Sequence, residues 1–267
     1  MPSSRLVRLP RSAMAMAVLV AATAVVGFFI LLVGLCDGQG YLCRGLLRQW
    51  GRAVCWACGA RLEVKGEEHI DREAAYVFMG NHQSALDIPI LAVALPNRFG
   101  WLAKKELFSI PFFGRVMRSA GNIPVDRGNA RSAISSLRAA SQALERGRSV
   151  FVFPEGTRSR TGEVLPFKSG GFVLAIHSQR PMVPVSIIGA GRVAPPGEWL
   201  LGTPGRVEVV IGEPLQAEGR RREDLAREIR QRVVDNCPQG NCLGTYSDKR
   251  NPGIPCSNSS SNNKDLV

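Results

Sequence analysis

The feature that most constrains this chain is an uncharged, apolar run near its N-terminus, residues 13–35. As a helix rising about 1.5 Å per residue, this run would be roughly 34 Å long, close to the thickness of a bilayer's hydrocarbon core. Arg5, Arg8 and Arg11 precede it, as basic residues precede the apolar region of a signal peptide. The run is longer than such a region, however, and no small-x-small cleavage site closes it. We therefore expect a retained membrane anchor.

A second helix with a basic face is predicted directly after the apolar run, over residues 41–57. Apolar and basic residues each recur at every fourth position there: Leu42, Leu46, Trp50 and Val54, and Arg44, Arg48 and Arg52. This pattern is typical of an amphipathic helix lying in the headgroup layer, and equally compatible with a helix packed on the protein's own core. Similar basic flanks on both sides of the apolar run leave two topologies open, a spanning helix and a hairpin that dips into one leaflet.

The charge of the chain favours anionic partners. It contains 34 Lys and Arg against 22 Asp and Glu, a formal net charge of +12. Such a field attracts nucleic acid, acidic membrane surfaces or phosphorylated substrates. Only 7% of the residues are aromatic, so the interleaved stacking residues of single-strand nucleic-acid binders are lacking. We therefore expect membrane lipids and phosphorylated small molecules as partners, and no nucleic acid.

The seven cysteines do not suggest a disulfide framework in a chain of this length. We expect mostly reduced thiols in a cytosol-facing protein. Cys55 and Cys58 have the spacing of a redox pair, but they lie on the predicted amphipathic helix and not at a strand end. We interpret them as packed or lipid-facing thiols.

From about residue 60 the sequence has the pattern of an α/β domain. β-branched and aromatic residues predict strands at 74–79, 149–153, 182–188 and 206–211, and apolar spacing predicts helices at 130–146, 172–178 and 224–234. Such alternation implies a sheet with crossover helices. The periodicity ends at a Ser-, Asn-, Gly- and Pro-rich segment, residues 236–267, which we expect to be disordered.

Polar residues follow the first predicted strand, between residues 80 and 87. Five residues along a helix turn through about 500°, so His82 and Asp87 would not share a helix face. If Ser84 caps a helix and His82 lies in the turn before it, the imidazole can fold back towards Asp87. A carboxylate bonded to one ring nitrogen fixes the tautomer and leaves the other nitrogen free as a general base. Taken alone, the pair is equally compatible with a structural histidine.

A second polar turn, residues 155–158, follows the strand predicted at 149–153. Gly156 permits a tight turn, and Thr157 and nearby backbone amides can bond an oxyanion. Arg158 can grip a phosphate through two parallel hydrogen bonds. The turn therefore predicts an anion-binding site at a strand end.

Further cations and a loop-like motif surround these two turns in the sequence. Lys104 and Arg127 add positive charge, although each alone is compatible with a solvated surface residue.

Residues 162–169 nearly match a nucleotide-binding phosphate loop. Phe167 occupies the position of that loop's second glycine, so its side chain would fill the space meant for phosphate. We therefore exclude nucleotide hydrolysis.

In combination and in this order, the motifs resemble the glycerolipid acyltransferase family. The matching residues lie between about 60 and 215: Asn81-His82-x4-Asp87, Lys104-x-Glu106-Leu107 with Pro111-Phe112-Phe113-Gly114, Gly121-Asn122-Ile123-Pro124-Val125-Asp126-Arg127, Phe153-Pro154-Glu155-Gly156-Thr157-Arg158-Ser159, and Val183-Pro184-Val185. Pro124 stands where the family often has an aromatic or aliphatic residue. The resemblance implies an α/β fold with a mixed sheet flanked by helices, preceded by an N-terminal membrane-associated helical segment.

The resemblance also implies residue roles. His82 would deprotonate the acceptor hydroxyl, which attacks the thioester of acyl-CoA or acyl carrier protein, and Asp87 would orient His82. The implied substrate-binding residues are Asn81, Lys104, Arg127, Glu155, Gly156, Thr157 and Arg158. Neither a metal nor another cofactor is required. The implied organisation is a membrane anchor (1–58), an acyltransferase domain (59–235) and a disordered tail (236–267).

Within this family the sequence looks most like the lysophosphatidate acyltransferases. This implies transfer of an acyl group to 1-acyl-sn-glycerol 3-phosphate, giving phosphatidate for phospholipid biosynthesis. The alternative is a family member that acts on another lysolipid, such as a lyso-ornithine lipid, or on glycerol 3-phosphate. The implied location is the membrane, at the cytoplasmic face of the inner membrane.

Overall fold

The computed structural model describes residues 5–34, 36–37, 40–126, 130–238 and 241–243. The helices are α1 (Arg5–Val33), α2 (Tyr41–Cys58), α3 (Asp87–Ala94), α4 (Pro111–Ser119), α5 (Ala130–Glu145), α6 (Gly170–Ser178), α7 (Ala190–Val193) and α8 (Arg222–Asp235). The strands are β1 (Ala60–Lys65), β2 (Val77–Gly80), β3 (Phe99–Lys104), β4 (Ile123–Val125), β5 (Ser149–Val152), β6 (Met182–Ile188) and β7 (Gly205–Ile211). Short 3₁₀ turns span Glu67–His69 and Lys105–Ser109.

The strands form one mixed sheet in the order β1-β7-β6-β2-β5-β3-β4. Every neighbouring pair is parallel except β6 and β7, which are antiparallel. The predicted fold class is confirmed. Because β2 and β5 are parallel neighbours, their carboxyl ends meet at the same edge of the sheet. This places the two polar turns of the sequence side by side.

Helices cover both faces of the sheet. Alternate residues along β2 and β5 point to opposite sides: Phe78 and Phe151 enter one buried cluster, whereas Val77 and Val150 enter the other. The first cluster also contains residues of α2 and α3, and the second contains residues of α5, α6 and α8. The sheet is therefore buried on both faces, as in other largely parallel sheets.

Helices α1 and α2 pack against each other as a hairpin that belongs to the core of the domain. The indole N–H of Trp50 donates to the hydroxyl of Thr23 at 3.0 Å. Val54 and Cys55 of α2, together with Ala15 of α1, lie in the same buried cluster as the sheet residues. The segment predicted as a separate anchor thus contributes part of the hydrophobic core.

The basic face predicted for α2 is divided in the structure. Arg48 and Arg52 are exposed, but Arg44 turns into the protein and donates to the backbone carbonyls of Ala92 and Leu95. A headgroup-facing role for Arg44 is therefore a wrong prediction. Helix α2 has neighbours on two sides, α1 and α3, so one side of its basic stripe becomes an interface.

Helix α1 contacts the sheet domain at both ends. Near its start, Arg8 donates from Nε to the carbonyl of Leu201 at 2.7 Å, and the Ser12 hydroxyl accepts from the Leu201 N–H at 2.9 Å. Near its end, Ile30 lies in a buried cluster with Val116 of α4. Its 29 residues span about 43 Å. The helix therefore lies along the domain and does not project away from it.

Part of the segment predicted to be disordered is ordered. Residues 236–238 and 241–243 follow α8, and Cys242 bonds the backbone of Gly162 and Gly189. A disulfide joins Cys237 to Cys242, whose Cα atoms are 4.7 Å apart. The expectation of reduced thiols is wrong for this pair, because the turn after α8 returns the chain within bonding distance. Residues 244–267 lie outside the described residues.

Among the residues that the structure describes, the other cysteines are free thiols: Cys36, Cys43, Cys55 and Cys58. Burial raises the pKa of Cys55 to about 12. Cys58 is also buried, and desolvation raises its pKa. Both thiols are consequently uncharged and weakly reactive near neutral pH. The interpretation of this pair as packed thiols agrees with their burial.

Candidate active site

The predicted pair of His82 and Asp87 is formed between β2 and α3. His82 lies in the loop after β2, and Asp87 is the first residue of α3. Nδ1 of His82 lies 2.7 Å from Oδ2 of Asp87. The imidazole thus folds back onto the carboxylate, as predicted for a histidine in the turn before the helix, but the N-cap residue of α3 is Leu86 and not Ser84. Ser84 helps to shape the intervening turn, where its hydroxyl accepts a hydrogen bond from the Leu86 N–H at 3.0 Å.

Asp87 is held in place by the turn that it helps to build. Its Oδ2 also accepts from the backbone N–H groups of Gln83 and Ser84, at 2.8 and 2.9 Å. The carboxylate is fully buried, whereas the His82 side chain is partly exposed. A fixed carboxylate on Nδ1 favours the tautomer with its proton on Nδ1, so Nε2 carries the free lone pair.

The outer edge of the His82 ring is available to a substrate. Phe153 stacks on the ring, with the centroids 3.9 Å apart and the planes 20° apart. Within the part of the chain that the structure describes, Nε2 has no hydrogen-bond partner. The His82 ring is therefore held by the Asp87 carboxylate at Nδ1 and by Phe153 on one face, and Nε2 can accept a proton.

The second polar turn bonds the backbone of His82 from both sides. The Glu155 carboxylate accepts from the His82 N–H at 2.8 Å, and the Ser159 N–H donates to the His82 carbonyl at 2.8 Å. Glu155 also accepts from the Leu165 N–H at 3.3 Å and is only 2% exposed. Burial raises the pKa of Glu155 to about 7, although both backbone hydrogen bonds favour the ionised form. Both carboxylate oxygens of Glu155 thus accept hydrogen bonds from backbone N–H groups.

The rest of this turn faces solvent. Gly156 has φ = +73°, the left-handed region that glycine adopts without strain. Thr157 and Arg158 are exposed. Among the described residues, Arg158 takes part in no ion pair. The guanidinium is therefore free to meet an anion near His82.

The remaining predicted substrate-binding residues lie in different settings. Lys104 ends β3, is exposed, and lies 3.7 Å from a carboxylate oxygen of Glu106. Asn81 is 1% exposed; its Nδ2 donates to the carbonyl of Ile187 and its Oδ1 accepts from the Ile187 N–H, both at 2.8 Å. Asn81 thus ties β2 to β6 and has no exposed polar atom. Arg127 lies outside the described residues.

Helix α2 supports the helix that carries Asp87. Arg44 donates to the carbonyl of Asn97 at 3.0 Å and to that of Ala92 at 2.6 Å, so it satisfies carbonyls at the C-terminal end of α3. A Cβ atom at Gly51 would lie 2.6 Å from the carbonyl oxygen of Pro89. The backbones of α2 and α3 are therefore in close contact two residues after Asp87.

An apolar cavity of about 200 Å³ lies between the hairpin and the sheet domain. It is lined by Thr23, Val26, Gly27, Ile30, Leu47, Trp50, Ile88, Trp101, Ala103, Leu107, Phe113, Val116, Met117, Ala120 and Asn122. Ile88 directly follows Asp87, and Ala103 precedes Lys104. Two of the lining residues thus directly neighbour Asp87 and Lys104 along the chain. The apolar lining of the cavity suits an alkyl chain.

Sequence reasoning missed several residues of this site. The contributions of Gln83, Ser159 and Arg44 are contacts with backbone groups, which leave no pattern in the sequence. The motif of residues 153–159 contains Phe153, but the motif alone gives this residue no role. The position of Phe153 directly before a polar turn, at the end of a strand, is a signal that could have indicated contact with His82.

The chain is similar to known acyltransferases. The family model described as "Acyltransferase" matches residues 61–188. The chloroplastic 1-acyl-sn-glycerol-3-phosphate acyltransferase of Brassica napus is 33% identical over 177 residues, which are 66% of this chain and 51% of the relative. The alpha form of Mus musculus is 34% identical over 197 residues, 69% of each chain. The chain thus spans about half the length of the plant relative.

A solved structure is also similar. The crystal structure of the 1-acyl-sn-glycerophosphate acyltransferase from Thermotoga maritima matches with a TM-score of 0.74 and 27% sequence identity. The match covers 86% of this chain and 94% of that chain. Because it covers 86% of the chain, it includes residues beyond the segment that the family model matches.

Proposed function

Because the chain belongs to the 1-acyl-sn-glycerol-3-phosphate acyltransferase family, we propose that it acylates the free hydroxyl of 1-acyl-sn-glycerol 3-phosphate. The product is phosphatidate, and the donor is the thioester of acyl-CoA or acyl carrier protein. The observation that carries the proposal is the His82–Asp87 pair, in which Nε2 of His82 is left to act as a base.

The reaction needs one base and no covalent enzyme intermediate. Nε2 of His82 takes the proton of the acceptor hydroxyl while the oxygen attacks the carbonyl carbon of the thioester. The C–O bond forms, the C–S bond breaks, and the departing thiolate takes the proton from the imidazolium. Asp87 stabilises the positive charge that develops on the ring, because its carboxylate lies 2.7 Å from Nδ1.

The predicted substrate-binding residues divide into two groups. Arg158, Thr157 and Lys104 are exposed and carry donors for the acceptor's phosphate. We keep Arg127 in this group on sequence grounds. Asn81 and Glu155 use their polar atoms on backbone partners, so we assign them the role of positioning β2 and His82. Gly156 supplies the turn.

The cavity suits the acyl chain of the donor. Its walls come mainly from α1, α2, α4 and β3, with Ile88 of α3, and the Thr23 hydroxyl in its lining already accepts a hydrogen bond from Trp50. Each methylene moved from water into such a site contributes about 0.8 kcal/mol. A long chain is therefore favoured over a short one, up to the length that the cavity accepts.

The enzyme acts at the membrane, and we place it at the cytoplasmic face of the inner membrane. Residues 8–33 of α1 are long and apolar enough to cross a bilayer, and only 11% of an 18-residue apolar stretch within them is buried in the protein. Exposed apolar side chains line α1: Leu6, Leu9, Met14, Met16, Val20, Val25, Phe28, Phe29 and Leu32. Because both ends of α1 contact the domain, this surface favours insertion into one leaflet over spanning.

An acceptor panel tests the proposal. Purified full-length protein in anionic vesicles is given a long-chain acyl-CoA and, separately, lysophosphatidate, lysophosphatidylcholine, a lyso-ornithine lipid or sn-glycerol 3-phosphate. We expect phosphatidate from lysophosphatidate at the highest kcat/KM. Exclusive acylation of another acceptor would replace the proposed substrate with that acceptor.

A further inference from the structure

Lys168 lies across the glycine of the turn beside His82. Its Nζ, Cε and Cδ atoms are 3.1, 3.3 and 3.4 Å from the point that a Cβ atom at Gly156 would occupy. The side chain of Lys168 therefore runs alongside Gly156, on the side where any other residue would carry its Cβ atom. A larger residue at position 156 would displace it.

The backbone fixes where this side chain starts. The Lys168 N–H donates to the carbonyl of Pro154 at 2.9 Å. Its neighbour Phe167 packs against two hydrophobic clusters. These contacts hold the Cα of Lys168 next to the turn, so the position of the ammonium depends on only a few side-chain torsions.

The turn under Lys168 is the one that bonds His82. Glu155 accepts from the His82 N–H and Ser159 donates to the His82 carbonyl, and Gly156 lies between these two contacts along the chain. Arg158 projects from the same turn into solvent. Two cationic side chains thus lie at the turn that holds the base.

These two cations have no acidic partner in the ordered parts of the chain that are described. Lys168 and Arg158 are exposed, and neither takes part in an ion pair there. The acid nearest to Arg158 in sequence, Glu155, is buried and bonded to backbone N–H groups. The acid nearest to Lys168 in sequence, Glu163, is exposed, and the described residues include no ion pair between it and Lys168. An incoming phosphate would therefore meet two unneutralised charges without displacing a protein carboxylate.

We propose that Lys168 binds the phosphate of the acceptor together with Arg158. This inference rests on the proposed function, and it gives a role to the one lysine of the segment that nearly matches a phosphate loop. The guanidinium supplies a planar pair of donors, and the ammonium supplies a compact charge on the Gly156 side of the turn. The phosphate of the donor's carrier is the other source of the same chemistry, and the experiment distinguishes the two.

The test compares Lys168→Gln, Lys168→Arg and Lys65→Gln with the wild type. Lys65 is the control, because it is an exposed lysine at the end of the edge strand β1, away from the turn after β5, and is paired with Glu208. The apparent KM for lysophosphatidate is measured at saturating oleoyl-CoA, and the KM for oleoyl-CoA at saturating lysophosphatidate. Monoacylglycerol, which lacks the phosphate, serves as a second acceptor.

We expect Lys168→Gln to raise the lysophosphatidate KM by about 10- to 150-fold, the range for one charge-assisted hydrogen bond. The kcat, the donor KM and the use of monoacylglycerol should change less than threefold. Lys168→Arg should recover most of the loss, and Lys65→Gln should match the wild type. An unchanged lysophosphatidate KM, a raised donor KM or an equal loss with monoacylglycerol would each overturn the inference.

A binding measurement separates this inference from the proposed function. Calorimetric titration of lysophosphatidate in detergent micelles needs no turnover, and we expect at least tenfold weaker binding to Lys168→Gln than to the wild type. Wild-type protein that forms no phosphatidate would refute the proposed function. Equal lysophosphatidate affinity in the two proteins would refute the role of Lys168.

Discussion

The carboxylate of Glu155 accepts a hydrogen bond from the backbone N–H of His82 at 2.8 Å. Two neighbouring strands, β2 and β5, each end in a polar turn, and this bond joins the two turns. The side chain of His82 is thus oriented by Asp87, and its backbone is held by Glu155 and by the Ser159 N–H. Because both the side chain and the backbone of His82 are held, little reorganisation is needed when the acceptor binds.

Glu155 should make the stability of the protein depend on pH. Its pKa is raised from 4.5 to about 7, mainly by burial, so the unfolded chain binds fewer protons than the folded protein between these values. The contribution of Glu155 to the free energy of unfolding is fully present below about pH 4.5 and is lost as the pH rises through 7. At full ionisation the loss is roughly 3 kcal/mol. Urea unfolding of wild type and Glu155→Gln at pH 5 and pH 8 measures it.

The expected outcome is a smaller decrease in unfolding free energy between pH 5 and pH 8 for Glu155→Gln. Glu218→Gln is the control, because this carboxyl is exposed and its replacement should leave the wild-type dependence unchanged. Parallel pH dependence in wild type and Glu155→Gln would show that the carboxyl does not titrate in this range.

Arg44 should stabilise the protein through the end of α3. Arg44→Met leaves buried carbonyls of Ala92, Leu95 and Asn97 without their donor, and we expect a loss of at least about 2 kcal/mol. Arg48→Met, on the exposed side of the same helix, should stay within about 0.5 kcal/mol of the wild type. Urea unfolding in detergent compares them. Equal stability of the two variants would mean that the buried guanidinium is dispensable.

Gly27 should control the length of acyl chain that the cavity accepts. Gly27 lines the cavity, and a Cβ atom there would lie 3.0 Å from Cγ2 of Val116 and 3.1 Å from the Phe112 ring, so the side chain of Gly27→Leu has to displace these groups or extend into the cavity. We expect the variant to prefer shorter acyl-CoA donors than the wild type, with each excluded methylene costing about 0.8 kcal/mol in kcat/KM.

The matched control is Gly45→Leu on α2, where a Cβ atom would meet no other group within 4 Å. Competition between donors of different length, read by mass spectrometry of the products, gives the preference. The same chain-length profile for wild type and Gly27→Leu would place the acyl chain outside this cavity.

The residue pattern was sufficient to predict the strands and turns that form the site. Strands rich in β-branched residues, such as β6, were predicted, and the contact of His82 with Asp87 was predicted on the condition that His82 lies in the turn before the helix. Strands β1, β3 and β4 were not predicted. The sequence of β3, FGWLAK, has no β-branched residue. A Cβ atom at position 100 would clash with the carbonyl oxygen of Gly121, so this strand position requires glycine.

The roles of Glu155 and Arg44 could not be read from the sequence, for one physical reason. Both side chains bond backbone groups of segments that are distant along the chain, and backbone groups are the same at every residue. Periodicity placed Arg44 on the same face as Arg48 and Arg52. Only the packing of α2 between α1 and α3 distinguishes it from the other two.

The initial rate of phosphatidate formation by His82→Ala tests the central claim most directly. Wild type and variant are compared in the same anionic vesicles with lysophosphatidate and a long-chain acyl-CoA, and circular dichroism confirms equal folding. Removing a general base lowers the rate by about 10²- to 10⁴-fold, and we expect a loss in that range. A folded His82→Ala protein that forms phosphatidate within threefold of the wild-type rate would contradict the assignment of His82 as the base.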